Sequence, residues 1–116
     1  MYRNHIVGKR GEDIATNFLK EHGYKILERN FYCNQGEIDI IAVDNKEIVF
    51  IEVKTRTTTN YGMPVEAVTI EKQKHLKKAT EYYIYKNNLY NDFIRLDVIE
   101  VLFKGDKYTI NHIKQI

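Results

Sequence analysis

The sequence predicts an α/β (α+β) protein, a mixed β-sheet flanked by helices, with elements in the order α-β-β-β-α-β-β. Three observations carry that reading. Two stretches repeat apolar residues at helical spacing. Five short runs are rich in Ile, Val and Phe and are bounded by turn-forming residues. The second helix falls between strand runs, so the strands need a sheet on which helices can pack.

The first helix is expected over residues 7–22, where Ile14, Ala15, Phe18 and Leu19 share a face and Gly23 stands at the C-cap position. Gly8 and Gly11 are unusual inside it, since each weakens a helix by ~1 kcal/mol relative to Ala. Glu12 lies three residues before Ala15 and seven before Leu19, along the edge of the apolar stripe. Strands follow at 24–29, 37–43 and 47–54. The last two are separated by Asp44-Asn45-Lys46 and read as a hairpin. A looser region spans 55–69. The second helix starts at Thr69 or Ile70 and ends at Lys86 or Asn87, with Leu76, Ala79 and Tyr83 on its inner face. A strand at 93–103, a Lys104-Gly105-Asp106 turn and a strand at 107–113 complete the order.

With 116 residues, one proline and no linker or repeat, the chain is expected to form one domain, 1–116. Its 43% hydrophobic content excludes disorder throughout. No apolar run approaches the ~20 residues of a membrane helix, so no membrane partner is expected. The N-terminal residues open no secretory signal. Cys33 is the single cysteine, which excludes an internal disulfide, and no Cys/His spacing suggests zinc. A cytoplasmic location follows as the default. The net charge of +2 says little about partners. The distribution says more: Lys72, Lys74, Lys77 and Lys78 fall within seven residues that hold no acid, a local basic face.

The third strand breaks its own pattern. Val49, Ile51 and Val53 share one face, and Ile48, Phe50, Glu52 and Lys54 the other. Both faces begin apolar, which marks a strand covered on both sides, yet an acid and a base emerge at its C-terminal end. The second strand holds a matching acid, Asp39, among Ile38, Ile40 and Ile41. A carboxylate there is costly without a partner. An Asp44-Asn45 loop would pair Asp39 with Phe50; a four-residue loop would pair Asp39 with Glu52. Either odd-sum register puts both acids on one face, with β-carbons roughly 5–8 Å apart, whereas a one-residue slip would separate them. Two carboxylates with an ammonium alongside suit Mg²⁺ or Mn²⁺ and a phosphate substrate. Spacing alone equally admits a buried ion-pair network without chemistry.

Asp39 followed by Glu52-Val53-Lys54 resembles the Asp…Glu-x-Lys motif of the PD-(D/E)xK nuclease superfamily. A longer series is more specific: Gly11-Glu12-Asp13-Ile14-Ala15, Gly23-Tyr24, Arg29-Asn30-Phe31, Gly36-Glu37-Ile38-Asp39-Ile40-Ile41 and Val49 through Arg56, continued by Tyr61-Gly62-Met63-Pro64, Lys72-Gln73 and Arg95-Leu96-Asp97-Val98. It resembles the YraN family of small bacterial proteins over nearly the whole chain. The resemblance implies a restriction-endonuclease-like core similar to archaeal Holliday-junction resolvases. It implies catalytic roles for Asp39, Glu52 and Lys54, and a Mg²⁺ or Mn²⁺ ion held by Asp39, Glu52 and Glu12. Ile38 stands where the superfamily name has proline.

The expected activity is metal-dependent hydrolysis of phosphodiester bonds in DNA, branched or structured DNA included. The alternative is a non-catalytic nucleic-acid-binding module that keeps the nuclease fold. Arg56, Gln73, Lys74, Lys77 and Lys78 are the candidate DNA contacts. For each, a solvated polar surface is the plain alternative. The Thr57-Thr58-Thr59 run reads as a phosphate grip or a polar loop. Asp97 and Arg95 read as a structural ion pair, and Tyr82, Tyr83, Tyr85 and Tyr90 as core or interface aromatics. His5, His22, His75 and His112 are too scattered for a metal cluster. A resolvase-like task would favour a two-fold homodimer, since two strands must be cut symmetrically.

Overall fold

A computed structural model of the chain describes residues 2–57 and 69–116, with side chains from residue 8 onward. The expected order is present: α1 (Tyr2–Glu21), β1 (Lys25–Cys33), β2 (Gly36–Asp44), β3 (Glu47–Arg56), α2 (Ile70–Asn87), β4 (Phe93–Lys104) and β5 (Lys107–Ile113). The five strands form one mixed sheet in the order β1-β2-β3-β4-β5. All neighbours are antiparallel except β3 and β4, which run parallel. A parallel pair needs a crossover connection, and α2 lies within it.

Each face of the sheet carries one helix. Ala15 and Leu19 of α1 pack on Ile40, Ala42, Val49, Ile51, Val53, Ile99 and Val101. Leu76, Ala79 and Tyr83 of α2 pack on Phe31, Ile38, Ile41, Ile48 and Phe50. The central strands are therefore apolar on both sides, as the double-sided composition of β3 requires. Among the described residues, no helix is long and apolar enough to cross a membrane.

Beside end shifts of one or two residues elsewhere, three differences from the sequence expectation have a physical reading. Helix α1 begins at Tyr2, five residues early, and runs through both glycines. Gly11 has a packing reason: a β-carbon there would run into the Thr55 hydroxyl on β3. Strand β1 continues past Arg29 to Cys33, because Asn30 takes a left-handed backbone (φ 53°) without ending the strand. The β2–β3 turn is only Asn45-Lys46, since Asp44 already pairs with Glu47. Thr58, Thr59, the Tyr61-Gly62-Met63-Pro64 segment and most of the expected loose region lie outside the described residues.

Candidate active site

The β2–β3 ladder pairs Val43 with Ile48, Ile41 with Phe50 and Ile40 with Ile51. This is the odd-sum register that sets Asp39 opposite Glu52, reached through a two-residue turn instead of four. The regular β2–β3 pairing stops at Ile40, one residue short of Asp39. Across β1, the ladder pairs Arg29 with Ile40 and Phe31 with Ile38, passing over Asn30 and Asp39. Asp39 thus sits just past the end of the β2–β3 ladder, with the β1–β2 register unbroken on either side of it. Its side chain replaces a ladder bond: Oδ2 accepts the Val53 N–H at 2.8 Å. That bond fixes the carboxyl beside β3, one residue from Glu52.

Around this point opens a cleft of about 790 Å³ lined by Glu12 of α1, Glu37 and Asp39 of β2, Glu52 to Arg56 of β3, and Lys72, His75 and Leu76 of α2, among others. It brings together Asp39, Glu52, Lys54 and Glu12. They come from three elements that meet at the C-terminal end of β3. That end of the parallel strands is where α/β sheets commonly bind ligands.

The electrostatics are unbalanced. Burial, then the nearby charge of Glu52, pushes the Asp39 carboxyl up to about 8; the Val53 N–H opposes this, while Glu12 and Glu37 add to it. Glu12 is also raised, chiefly by burial, although Arg29 works the other way. The Arg29 guanidinium stands 2.8 Å from Asp13 and 3.8 Å from Glu12. Lys54 is lowered from the ordinary lysine value, first by burial and then by the neighbouring Lys72.

The structure adds a residue the sequence reading left out of the site. Lys72 Nζ lies 3.2 Å from Glu52 Oε2. A signal was present: Lys72 stands four residues before Leu76, so it extends the inner stripe of α2 formed by Leu76, Ala79 and Tyr83. Lys74, Lys77 and Lys78 are exposed on the other faces of that helix and do not line the cleft. Gln73 is half-buried and is likewise not among the described lining residues. Arg56 lines the cleft, but its Nε lies 3.0 Å from Glu100 and both side chains are largely buried.

A second polar cluster stands apart from the cleft. Arg95 bonds Asp97, Asp44, Glu47 and the Tyr24 hydroxyl. His112 Nε2 stands 2.8 Å from Asp97, and the Gln115 N–H donates to Asp97 at 3.0 Å. The expected Arg95–Asp97 ion pair is therefore present, inside a larger network. Of the remaining histidines, His75 lines the cleft and His22 bonds the Phe18 carbonyl; the His5 side chain lies outside the described residues. Among the aromatics, Tyr83 is in the core, whereas Tyr85 and Tyr90 are exposed.

Comparison with known proteins places the chain. The model of a family described as "Uncharacterised protein family UPF0102" matches residues 11–101. The chain belongs to this family. UPF0102 is the YraN family that the motif series resembles. A UPF0102 protein of Clostridium perfringens is 50% identical over 113 residues, covering 96% of this chain and 93% of its own. Another, of Caldicellulosiruptor saccharolyticus, is 47% identical over 110 residues, covering 93% of each. Among solved structures, the chain is similar to one titled "Crystal structure of SSO0001", at 17% identity and a TM-score of 0.38. The alignment covers 97% of this chain but spans about half, 52%, of that one. The UPF0102 match includes Glu12, Asp39, Glu52, Lys54 and Lys72.

Proposed function

We propose that the cleft is the active site of a metal-dependent nuclease that hydrolyses phosphodiester bonds in DNA, branched or structured DNA included. The observation that carries this reading is the surplus of carboxylates around Asp39. A buried carboxyl pushed to about 8 by burial and by other acids is not fully offset by Lys54 and Lys72, and an added cation would favour its ionised form. Its neighbours in the cleft are oxygen donors and two amines, the set suited to a hard divalent cation beside a phosphate.

The residues fit Mg²⁺ or Mn²⁺. Among the described residues no three His, Cys, Asp or Glu side chains gather closely enough to hold an ion unaided. Mg²⁺ makes no such demand: it keeps several waters and uses one or two carboxylates. Asp39 and Glu52 would hold it, with Glu12 at the edge. When bound, such an ion activates water and stabilises charge on a phosphoryl oxygen.

The chain's own groups have distinct tasks. The Val53 N–H holds Asp39 Oδ2 in place, so the carboxyl meets its ligand without reordering. Lys54, whose burial weakens its hold on its proton, orients the attacking water and places positive charge beside the phosphoryl oxygens. Lys74, Lys77 and Lys78 supply phosphate contacts along the exposed faces of α2, which bind without reading sequence. Gln73 and Arg56 border this path, Arg56 held by Glu100. A homodimer would offer two such clefts to a four-way junction.

One observation favours the non-catalytic alternative. Glu52 already pairs with Lys72, so one carboxylate of the cluster is engaged within the protein. The two readings separate on incubation with Mg²⁺ or Mn²⁺ and linear, flapped and four-way DNA. The nuclease reading predicts cutting by the native protein and none by Glu52→Ala, which still binds. DNA binding without cutting by either protein would favour the binding module.

A further inference from the structure

The Lys72–Glu52 pair has a simple physical oddity. Lys72 is the third residue of α2, and its backbone N–H is taken by the Thr69 side chain that caps the helix. The N-terminal turn of a helix carries partial positive charge and favours acids. A lysine there works against the helix, although Glu71 in the same turn favours it, and an acid facing the lysine offsets this. Glu52 is that acid, at 3.2 Å from the β3 side. The two side chains differ in freedom. Glu52 is 13% exposed and fixed at the cleft wall, whereas the Lys72 side chain is 49% exposed and reaches in from the rim.

We propose that Lys72 is an exchangeable counter-ion: its ammonium occupies Glu52 in the free protein and moves to a substrate phosphate when a divalent cation takes Glu52. The inference rests on the nuclease-site reading of the cleft and adds a residue to it. A flexible, half-exposed ammonium loses little on leaving a carboxylate that another cation has claimed. It is already at the cleft mouth, where a phosphodiester strand would enter. The same pair that argues for an inert site becomes, on this account, the resting state of an active one.

The test compares the native protein with Lys72→Met and Lys74→Met, the latter removing an exposed lysine of the same helix that does not line the cleft. Mn²⁺ binding is measured calorimetrically without DNA. Duplex DNA binding is measured across a salt series in Ca²⁺, so that affinity is read apart from cleavage. Lys72→Met is expected to bind Mn²⁺ about fivefold more tightly than the native protein, the effect of removing one unit charge at contact distance in a water-like medium. Its DNA affinity should fall, with the log–log salt slope flatter by about 0.9. Lys74→Met should leave Mn²⁺ affinity nearly unchanged. The opposite signs matter, because simple loss of structure would weaken both ligands. Equal Mn²⁺ affinity in Lys72→Met and Lys74→Met overturns the exchange, as does an unchanged salt slope in Lys72→Met. No Mn²⁺ binding by either the native protein or Lys72→Met overturns the metal-site reading itself and this proposal with it.

Discussion

Two carboxylates are buried in the same sheet and have opposite fates. Asp97 on β4 is fully buried, and burial pushes its carboxyl up; yet His112, Arg95 and the Gln115 N–H together outweigh this and hold it below the usual range. Asp39 on β2 is nearly as buried and has one backbone N–H for support, with acids around it, and it rises to about 8. Burial is common to both, so the neighbours decide. The Asp97 cluster is balanced and closes on itself, as a structural network does. The Asp39 cluster has Lys54 and Lys72 beside its acids and still leaves Asp39 raised, and on the proposed reading a bound cation would offset this.

The largest expected effect comes from breaking the balanced cluster. Asp97→Ala removes the main partner of a buried guanidinium and should destabilise the protein by about 3–5 kcal/mol in urea unfolding at neutral pH. A loss below about 1 kcal/mol would mean that Asp44, Glu47 and Tyr24 suffice for Arg95, and the contrast with Asp39 would weaken.

The unbalanced cluster predicts a gain. The folded value for Asp39, about 8, lies above its unfolded value of 3.8. Its contribution to stability is thus fully present below about pH 4 and is lost as pH rises through about 8. Asp39→Asn keeps an acceptor for the Val53 N–H without the charge. In chelator at pH 9 it should be more stable than the native protein, on the order of 3 kcal/mol, with the difference shrinking toward pH 4. Asp97 has the reverse sign: its folded value is depressed, so its contribution is present above about pH 4 and is lost as pH falls through the lower folded value. A chelator-treated Asp39→Asn protein no more stable than the native one at pH 9 would remove the distinction.

The smallest effects concern α1, which carries Glu12 to the cleft. Gly11→Ala places a methyl against Thr55 and should cost about 1–3 kcal/mol. Gly8→Ala meets nothing within 4 Å and should stabilise by up to about 1 kcal/mol. Equal effects at the two positions would show that α1 does not rest on β3 through Gly11.

The sequence made this contrast only half visible. All seven elements could be placed, because the helical stripes and the Ile/Val-rich runs are long and well separated. The sharing of one cleft by Asp39 and Glu52 followed from strand alternation once an odd-sum register was assumed. The end of β1 was hidden by Asn30, a residue typical of turns that here bends a continuing strand. The start of α1 was hidden by Gly8 and Gly11, whose low helix propensity is overridden at Gly11 by close packing on Thr55. Lys72 was hidden in its own neighbourhood: four lysines in seven residues look alike until the Leu76–Ala79–Tyr83 stripe is extended back one turn. The wider partners of Arg95 could not be read, since Asp44 and Glu47 reach it only through the meeting of β2, β3 and β4.

The Asp39 side-chain carboxyl can be titrated by carbon-13 NMR in chelator and again in saturating Mg²⁺. A midpoint of about 8 is expected without metal and a fall of at least about two units with it, because a bound cation favours the ionised form. A midpoint near the ordinary carboxylate value that Mg²⁺ does not move would contradict the metal-site reading.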